Sequence, residues 1–230
     1  RVIEPNGLSF LSLNIDGFKS NFNSFLITHE KFLERSCKPP DCYLLCETNV
    51  TQWESKSFYL KGYNSFIQDR ILNDKGKLKH KGSGLAIFLR DTFNNVLHKT
   101  DLSISSCNFE ALCIEVNVSR SEKFFLISCY RSPSGNFDSF IADLNTLLES
   151  LNRYKKHSSY IFGDFNVNLY NTSLNTKKYI ECLFSNNFLP LISRATHFGG
   201  LNGTCIDHIL TNGNNITRVK KSGIIRSWNY

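Results

Sequence analysis

Short apolar runs separated by turn-forming residues recur along this 230-residue chain, and they constrain its fold more than any other feature. The segments Leu8 to Asn14, Tyr43 to Cys46, Gly84 to Leu89, Ala111 to Val118, Phe124 to Cys129, Tyr160 to Phe162 and Cys205 to Leu210 are too short for helices and bounded by strand breakers, so they are expected as strands. Two stretches instead carry a helical stripe. Phe137 to Leu151 puts Phe140, Leu144, Leu147, Leu148 and Leu151 on one face, and Asn175 to Asn186 groups Tyr179, Cys182 and Leu183. A weaker stripe, Phe25, Phe32 and Leu33, covers Asn23 to Arg35. Strands outnumber helices, yet helices separate several of them. That pattern favours an α/β layered domain with mixed sheets over an all-parallel sheet. There is no repeat at solenoid periods and no low-complexity linker, so residues 1–230 are expected to form a single domain.

Composition narrows the functional classes. Hydrophobic residues make up 41% of the chain, enough to bury a core at this length. No apolar stretch is long enough to span a bilayer, and no basic-then-apolar signal segment opens the chain, so no membrane partner is expected. The chain has no methionine and opens on Arg1, so it is expected to be part of a longer polypeptide. The formal net charge of +7 is compatible with a polyanionic partner. Eight cysteines are irregularly spaced, and Cys42 and Cys46 lack the further ligands of a zinc site. All eight are expected to be reduced thiols, which points to the nucleus or cytoplasm.

Polar residues stand at the ends of the apolar runs. Asn14 ends Phe10 to Asn14, Glu47 follows Tyr43 to Cys46, and Tyr130 ends Leu126 to Tyr130. Asp207 lies within Gly203 to Leu210. The tetrapeptide Gly163-Asp164-Phe165-Asn166 follows Tyr160 to Phe162. There, an anionic acceptor and a neutral amide two residues apart share one side in extended geometry. That pairing suits hydrolysis of a phosphate ester, although the same residues also favour an ordinary Asx turn.

Taken in order, these stretches resemble the endonuclease/exonuclease/phosphatase superfamily. Leu11-Ser12-Leu13-Asn14, Leu45-Cys46-Glu47-Thr48, Gly163-Asp164-Phe165-Asn166 and Ile206-Asp207-His208-Ile209-Leu210 carry the resemblance. The stretches Gly82-Ser83-Gly84-Leu85-Ala86-Ile87-Phe88 and Tyr130-Arg131-Ser132-Pro133 look most like the endonuclease domain of LINE-type (non-LTR) retrotransposons. The resemblance implies a four-layer α/β-sandwich of two packed mixed β-sheets flanked by helices. It implies an Mg²⁺-dependent (or Mn²⁺-dependent) endonuclease that nicks double-stranded DNA to leave a 3′-hydroxyl for reverse transcription. A reverse-transcriptase domain in the same polypeptide would be its partner. Glu47 would be the principal metal ligand, with Asn14 helping to hold metal or phosphate. Asp164 would orient or deprotonate water, Asn166 and Tyr130 would contact the phosphate, and Asp207 would orient a histidine.

The family's Ser-Asp-His element, expected near Ser227 to Tyr230, is not in the sequence. His208 is no substitute, since it neighbours Asp207 on a strand and faces the other way. A C-terminally truncated domain is therefore expected. Two alternatives stay open: a DNA-binding fragment without activity, and an abasic-site repair nuclease or phosphatase of the same superfamily.

For DNA contacts, the resemblance implies Thr196 near a phosphate and His197 to Gly203 as a hairpin entering the minor groove. Phe198 would be a wedge there. An ordinary glycine-rich hairpin fits the same residues. Arg131, Arg194, His197 and the loop lysines Lys75, Lys77, Lys79 and Lys81 are the candidate DNA contacts. The lysine run fits a solvated hairpin tip equally well.

Overall fold

The structure is a computed structural model and describes residues 7–34, 38–70, 82–119, 122–198 and 203–224. Two sheets pack face to face. The first holds β1 (Phe10–Asn14), β2 (Cys42–Cys46), β3 (Tyr63–Gln68) and β4 (Leu85–Arg90) in the order β1-β2-β4-β3. Its β1 and β2 run parallel, and the other pairs are antiparallel. The second holds β5 (Val96–His98), β6 (Ile104–Ser105), β7 (Phe109–Asn117), β8 (Lys123–Arg131), β9 (Ser158–Asp164), β10 (Phe188–Pro190) and β11 (Asp207–Asn212). Its order is β10-β11-β9-β8-β7-β5, with β6 paired to β7 and only β8 and β9 parallel.

Alternation along the strands sorts side chains into layers. Leu44, Cys46, Leu85 and Ile87 of the first sheet meet Leu112, Ile114, Leu126 and Phe162 of the second. On the outer face of the first sheet, α1 (Phe18–Glu34) lays Phe18, Phe22 and Phe25 on Tyr43, Leu45 and Phe88. On the outer face of the second, α3 (Phe137–Asn152) and α4 (Leu174–Ser185) cover Phe125, Ile127, Cys129, Ile161 and Leu210. A short α2 (Gln52–Ser55) follows the end of β2. The expected four-layer sandwich of mixed sheets is thus observed.

Local signals account for the helix ends. The Asn136 side chain accepts the Ser139 N–H at 2.9 Å and starts α3. Ser173 accepts the Thr176 N–H at 3.2 Å and starts α4. The first helix begins at Phe18, five residues before the expected start, because Phe18 and Phe22 extend its buried stripe. Strands β3, β5, β6 and β10 were not expected from the sequence, and the last strand starts at Asp207 rather than Cys205. The seven described cysteines are free; Cys37 lies outside the described residues. Among the described residues, no helix is long and apolar enough to cross a membrane.

Candidate active site

Strand register brings four polar residues into one row. Glu110 pairs with Tyr130, Tyr130 with Asp164, and Asp164 with Asp207, across β7, β8, β9 and β11. The next row inward is Leu112, Ser128, Phe162 and Ile209. The polar row therefore forms the last rung of the inter-sheet core, at one end of the sandwich. The first sheet faces it with Asn14 at the end of β1 and Glu47 just past β2.

Hydrogen bonds tie the two sides together. The Asn14 amide donates to Glu47 Oε1 at 3.0 Å and to Asp164 Oδ2 at 3.1 Å. Its own carbonyl oxygen accepts the Asp16 N–H at 3.1 Å. Asn14 thus presents its nitrogen, not its oxygen, to the two acids, and in this arrangement it is a bridge rather than an oxygen ligand. The Tyr130 hydroxyl also pairs with Glu47, and burial beside that carboxylate raises its pKa. The Asp164 carboxylate accepts the Asn166 N–H at 3.0 Å. Burial, and then the neighbouring charge of Asp207, lifts Asp164 to about 7. Asp207 is raised by burial as well, and Thr196 and His197 act against that rise. The Thr196 hydroxyl accepts the N–H groups of Ile206 and Asp207 at 3.2 and 3.1 Å.

Backbone conformation marks the same end. Asp16, Glu47, Asn49 and Asn166 all have positive φ, at 47°, 54°, 54° and 49°. Asn and Asp tolerate this region, but Glu47 there is strained by about 1–3 kcal/mol. Gly163 answers a different demand: a Cβ at this position would lie 2.1 Å from the Cys129 carbonyl oxygen. Only glycine lets β9 approach β8 this closely where Tyr130 and Asp164 are carried.

Other candidates are placed differently. Arg131 is buried, donates to the Asn166 carbonyl at 3.2 Å, and lies over the Phe137 and Phe140 rings. The Asn166 amide donates to the Arg131 carbonyl at 2.9 Å in return. Arg131 therefore braces the Asn166 turn from beneath instead of presenting its charge at the surface. Arg194, His197 and Phe198 are exposed, and His197 pairs with Thr204 at the base of a hairpin whose tip lies outside the described residues. Lys75, Lys77, Lys79 and Lys81, and the segment Ser227 to Tyr230, also lie outside them. His208 faces away, as its parity requires: it is buried, bonded to the Tyr179 hydroxyl at 2.8 Å, and stacked on Phe165. Burial lowers it to about 4.

Glu110 escaped the sequence reading. It is the one acid in the Phe109-Glu110-Ala111 start of an apolar run, and its parity with Leu112, Ile114 and Val116 was the available signal. Burial lifts it to about 7, against hydrogen bonds from Gly84 and Ser83.

The donor set suits a hard cation. Glu47, Asp164 and Asp207 offer carboxylate oxygens, with no thiolate or imidazole in the row. Among the described residues, no three His, Cys, Asp or Glu side chains form a ready-made metal cage. Mg²⁺ needs no such cage, since it keeps several waters and uses one or two carboxylates. Beside burial, the charges of Asp207 and Glu47 raise Asp164, and a bound cation would offset that repulsion.

A family model described as Endonuclease/Exonuclease/phosphatase matches residues 11–228. No curated protein matches the sequence. The endonuclease domain of TRAS1, a telomere-specific non-LTR retrotransposon, superposes with a TM-score of 0.64 at 14% identity, over 90% of this chain and 85% of that one. The AP endonuclease LMAP from Leishmania major gives 0.69 at 13% identity, over 91% and 80%. The Xenopus laevis APE2 catalytic domain gives 0.61 at 16% identity, over 91% and 84%. At these identities the likenesses concern the fold.

Proposed function

Because this chain belongs to the endonuclease/exonuclease/phosphatase family, we propose that it is a metal-dependent endonuclease of the retrotransposon kind, nicking double-stranded DNA. The observation that carries this reading is the polar row Tyr130–Asp164–Asp207 closed from the opposite sheet by Asn14 and Glu47. In the reaction, a water oxygen attacks phosphorus and the bond to the 3′ oxygen breaks. The products are a 5′-phosphate and a 3′-hydroxyl, the primer that reverse transcription in the same polypeptide would use.

Each residue's role follows from its surroundings. Asp164, bonded to Asn14 and facing Asp207 across the row, would take the proton of the attacking water. The Asn14 amide holds Asp164 and Glu47 in one geometry. Asn166 is fixed by Arg131 at the rim, and Tyr130 stands between the acids with a hydroxyl that stays protonated. Both would donate to phosphate oxygens, Tyr130 in exchange for its bond to Glu47. Asp207, oriented by Thr196, is the acid partner for an imidazole, and His197 already acts on it through space. Glu47 would hold an Mg²⁺ or Mn²⁺ ion. When bound, the ion polarises the phosphate and neutralises the leaving oxygen. Thr196, Arg194, His197 and Phe198 would lie along the DNA, and the lysines at 75–81 would add backbone contacts.

The reading of the branch within the family rests on the Gly82–Phe88 and Tyr130–Pro133 stretches. The test is relaxation of supercoiled plasmid with MgCl₂ and with EDTA, followed by polymerase extension from the nick. Mg²⁺-dependent nicks that extend directly are expected. No nicking under any divalent ion would sink the reading. An abasic oligonucleotide cut far faster than intact duplex would move it to repair.

A further inference from the structure

Glu110 has no part in the chemistry just assigned, yet it occupies the polar row at 3% exposure. Both its carboxylate oxygens accept the Gly84 N–H at 3.2 Å, and one accepts the Ser83 hydroxyl at 3.2 Å. These donors belong to the turn that leads into β4, in the opposite sheet. The other side of the same turn closes on the end of β2. The Gly84 carbonyl accepts the Thr48 N–H at 3.1 Å, and the Ser83 carbonyl accepts the Asn49 N–H at 2.8 Å. Gly82 completes the contact: a Cβ there would lie 2.7 Å from the Glu47 carboxylate and from the Tyr130 hydroxyl. Gly82 and Gly84 have φ of +77° and +88°, so the backbone itself passes where a side chain could not.

The turn is thus gripped from two directions, by Glu110 of the second sheet and by residues 47–49 of the first. Glu47 needs such a grip, because its own left-handed backbone conformation is unfavourable for a glutamate.

We infer that Glu110 is a positioning residue for Glu47: it anchors the Gly82–Gly84 turn across the gap between the sheets, and the turn fixes Glu47 in its metal-holding pose. This rests on the proposed role of Glu47 and adds the residue that sets its geometry. A carboxylate can supply every acceptor the turn asks for. Glutamine has the same size but turns one acceptor into a donor beside the Gly84 N–H.

The test is Mn²⁺ binding to the purified chain without DNA, read from the electron paramagnetic resonance of free Mn²⁺, with thermal melts alongside. Glu110→Gln is expected to fold and to bind Mn²⁺ ~10-fold more weakly, the scale on which partners of metal ligands act. Ser83→Ala, which removes one of the donors, is expected to weaken binding roughly threefold. Glu47→Ala is expected to abolish the site. A folded Glu110→Gln with wild-type Mn²⁺ affinity, beside a Glu47→Ala that has lost it, overturns the positioning role and leaves the metal reading standing. If Glu110→Gln does not fold, Ser83→Ala decides: unchanged affinity overturns the inference and weakened affinity supports it. A Glu47→Ala that binds as wild type overturns the metal reading, and the inference with it.

Discussion

Strand β2 is bracketed by two acids that the molecule treats in opposite ways. Asp41, just before it, is buried with Lys38 Nζ 2.8 Å away and Arg90 Nε 3.4 Å away. Glu47, just after it, is met by an amide and a phenol. Strand β7 repeats the contrast. Glu115 has Lys123 at 3.6 Å and His157 at 4.0 Å, whereas Glu110, five residues earlier at the other end, has only N–H and hydroxyl donors. One end of the sandwich neutralises its acids with its own cations. The other satisfies their hydrogen bonds but leaves their charge, and that remaining charge is what a metal ion from solution would meet.

The widest separation between the two ends should come from paired substitutions. Asp164→Asn is expected to lower the nicking rate about 10³-fold while the protein stays folded, measured by plasmid relaxation and a thermal melt. A loss below tenfold would remove Asp164 from the chemistry. At the other end, Asp41→Ala leaves Arg90 and Lys38 without their buried partner. It should cost about 2–3 kcal/mol in a urea titration and leave nicking by the folded fraction unchanged. Impaired nicking there would blur the division between the ends.

The pH dependence of stability sharpens the contrast further. Asp164 and Glu110 have folded pKa values of about 7, above those of free carboxyls. The folded state then binds more protons than the unfolded one between about pH 4 and pH 7, so stability falls as pH rises through that window. In metal-free buffer the Tm of the wild type relative to Asp164→Asn should decline from pH 5 to pH 8, a comparison in which the opposite contribution of buried His208 cancels. An identical slope in the variant would contradict the assignment. The smallest effect is expected for Thr196→Val, which leaves the Ile206 and Asp207 N–H groups without their acceptor. A loss of about 1 kcal/mol in the same titration would fit.

Much of this site was legible in the sequence because strand ends are legible. Asn14, Glu47, Tyr130 and Asp164 each follow an apolar run, and the strands deliver them to one end. Arg131 was not, since nothing in Tyr-Arg-Ser-Pro shows that Phe137 and Phe140 will cover its guanidinium. Glu110 was hidden by its apolar neighbours. Strand β3 was missed because Tyr63–Gln68 is a half-exposed edge with polar residues inside it, and β10 because it is three residues long and ends on proline. Such strands are defined by partners distant in sequence, which local patterns do not report.

The back-to-back placement of Asp207 and His208 carries a consequence for how this protein can change. One faces the polar row and the other is sunk among Phe165 and Tyr179. Adding or deleting one residue ahead of β11, without a compensating bulge, would exchange them, burying a carboxylate and turning the imidazole toward the acids. The hairpin before β11 is therefore free to vary in length only where the count entering the strand keeps its parity. Odd insertions should appear beyond the His197–Thr204 bridge, toward the hairpin tip, where they leave the strand phase untouched.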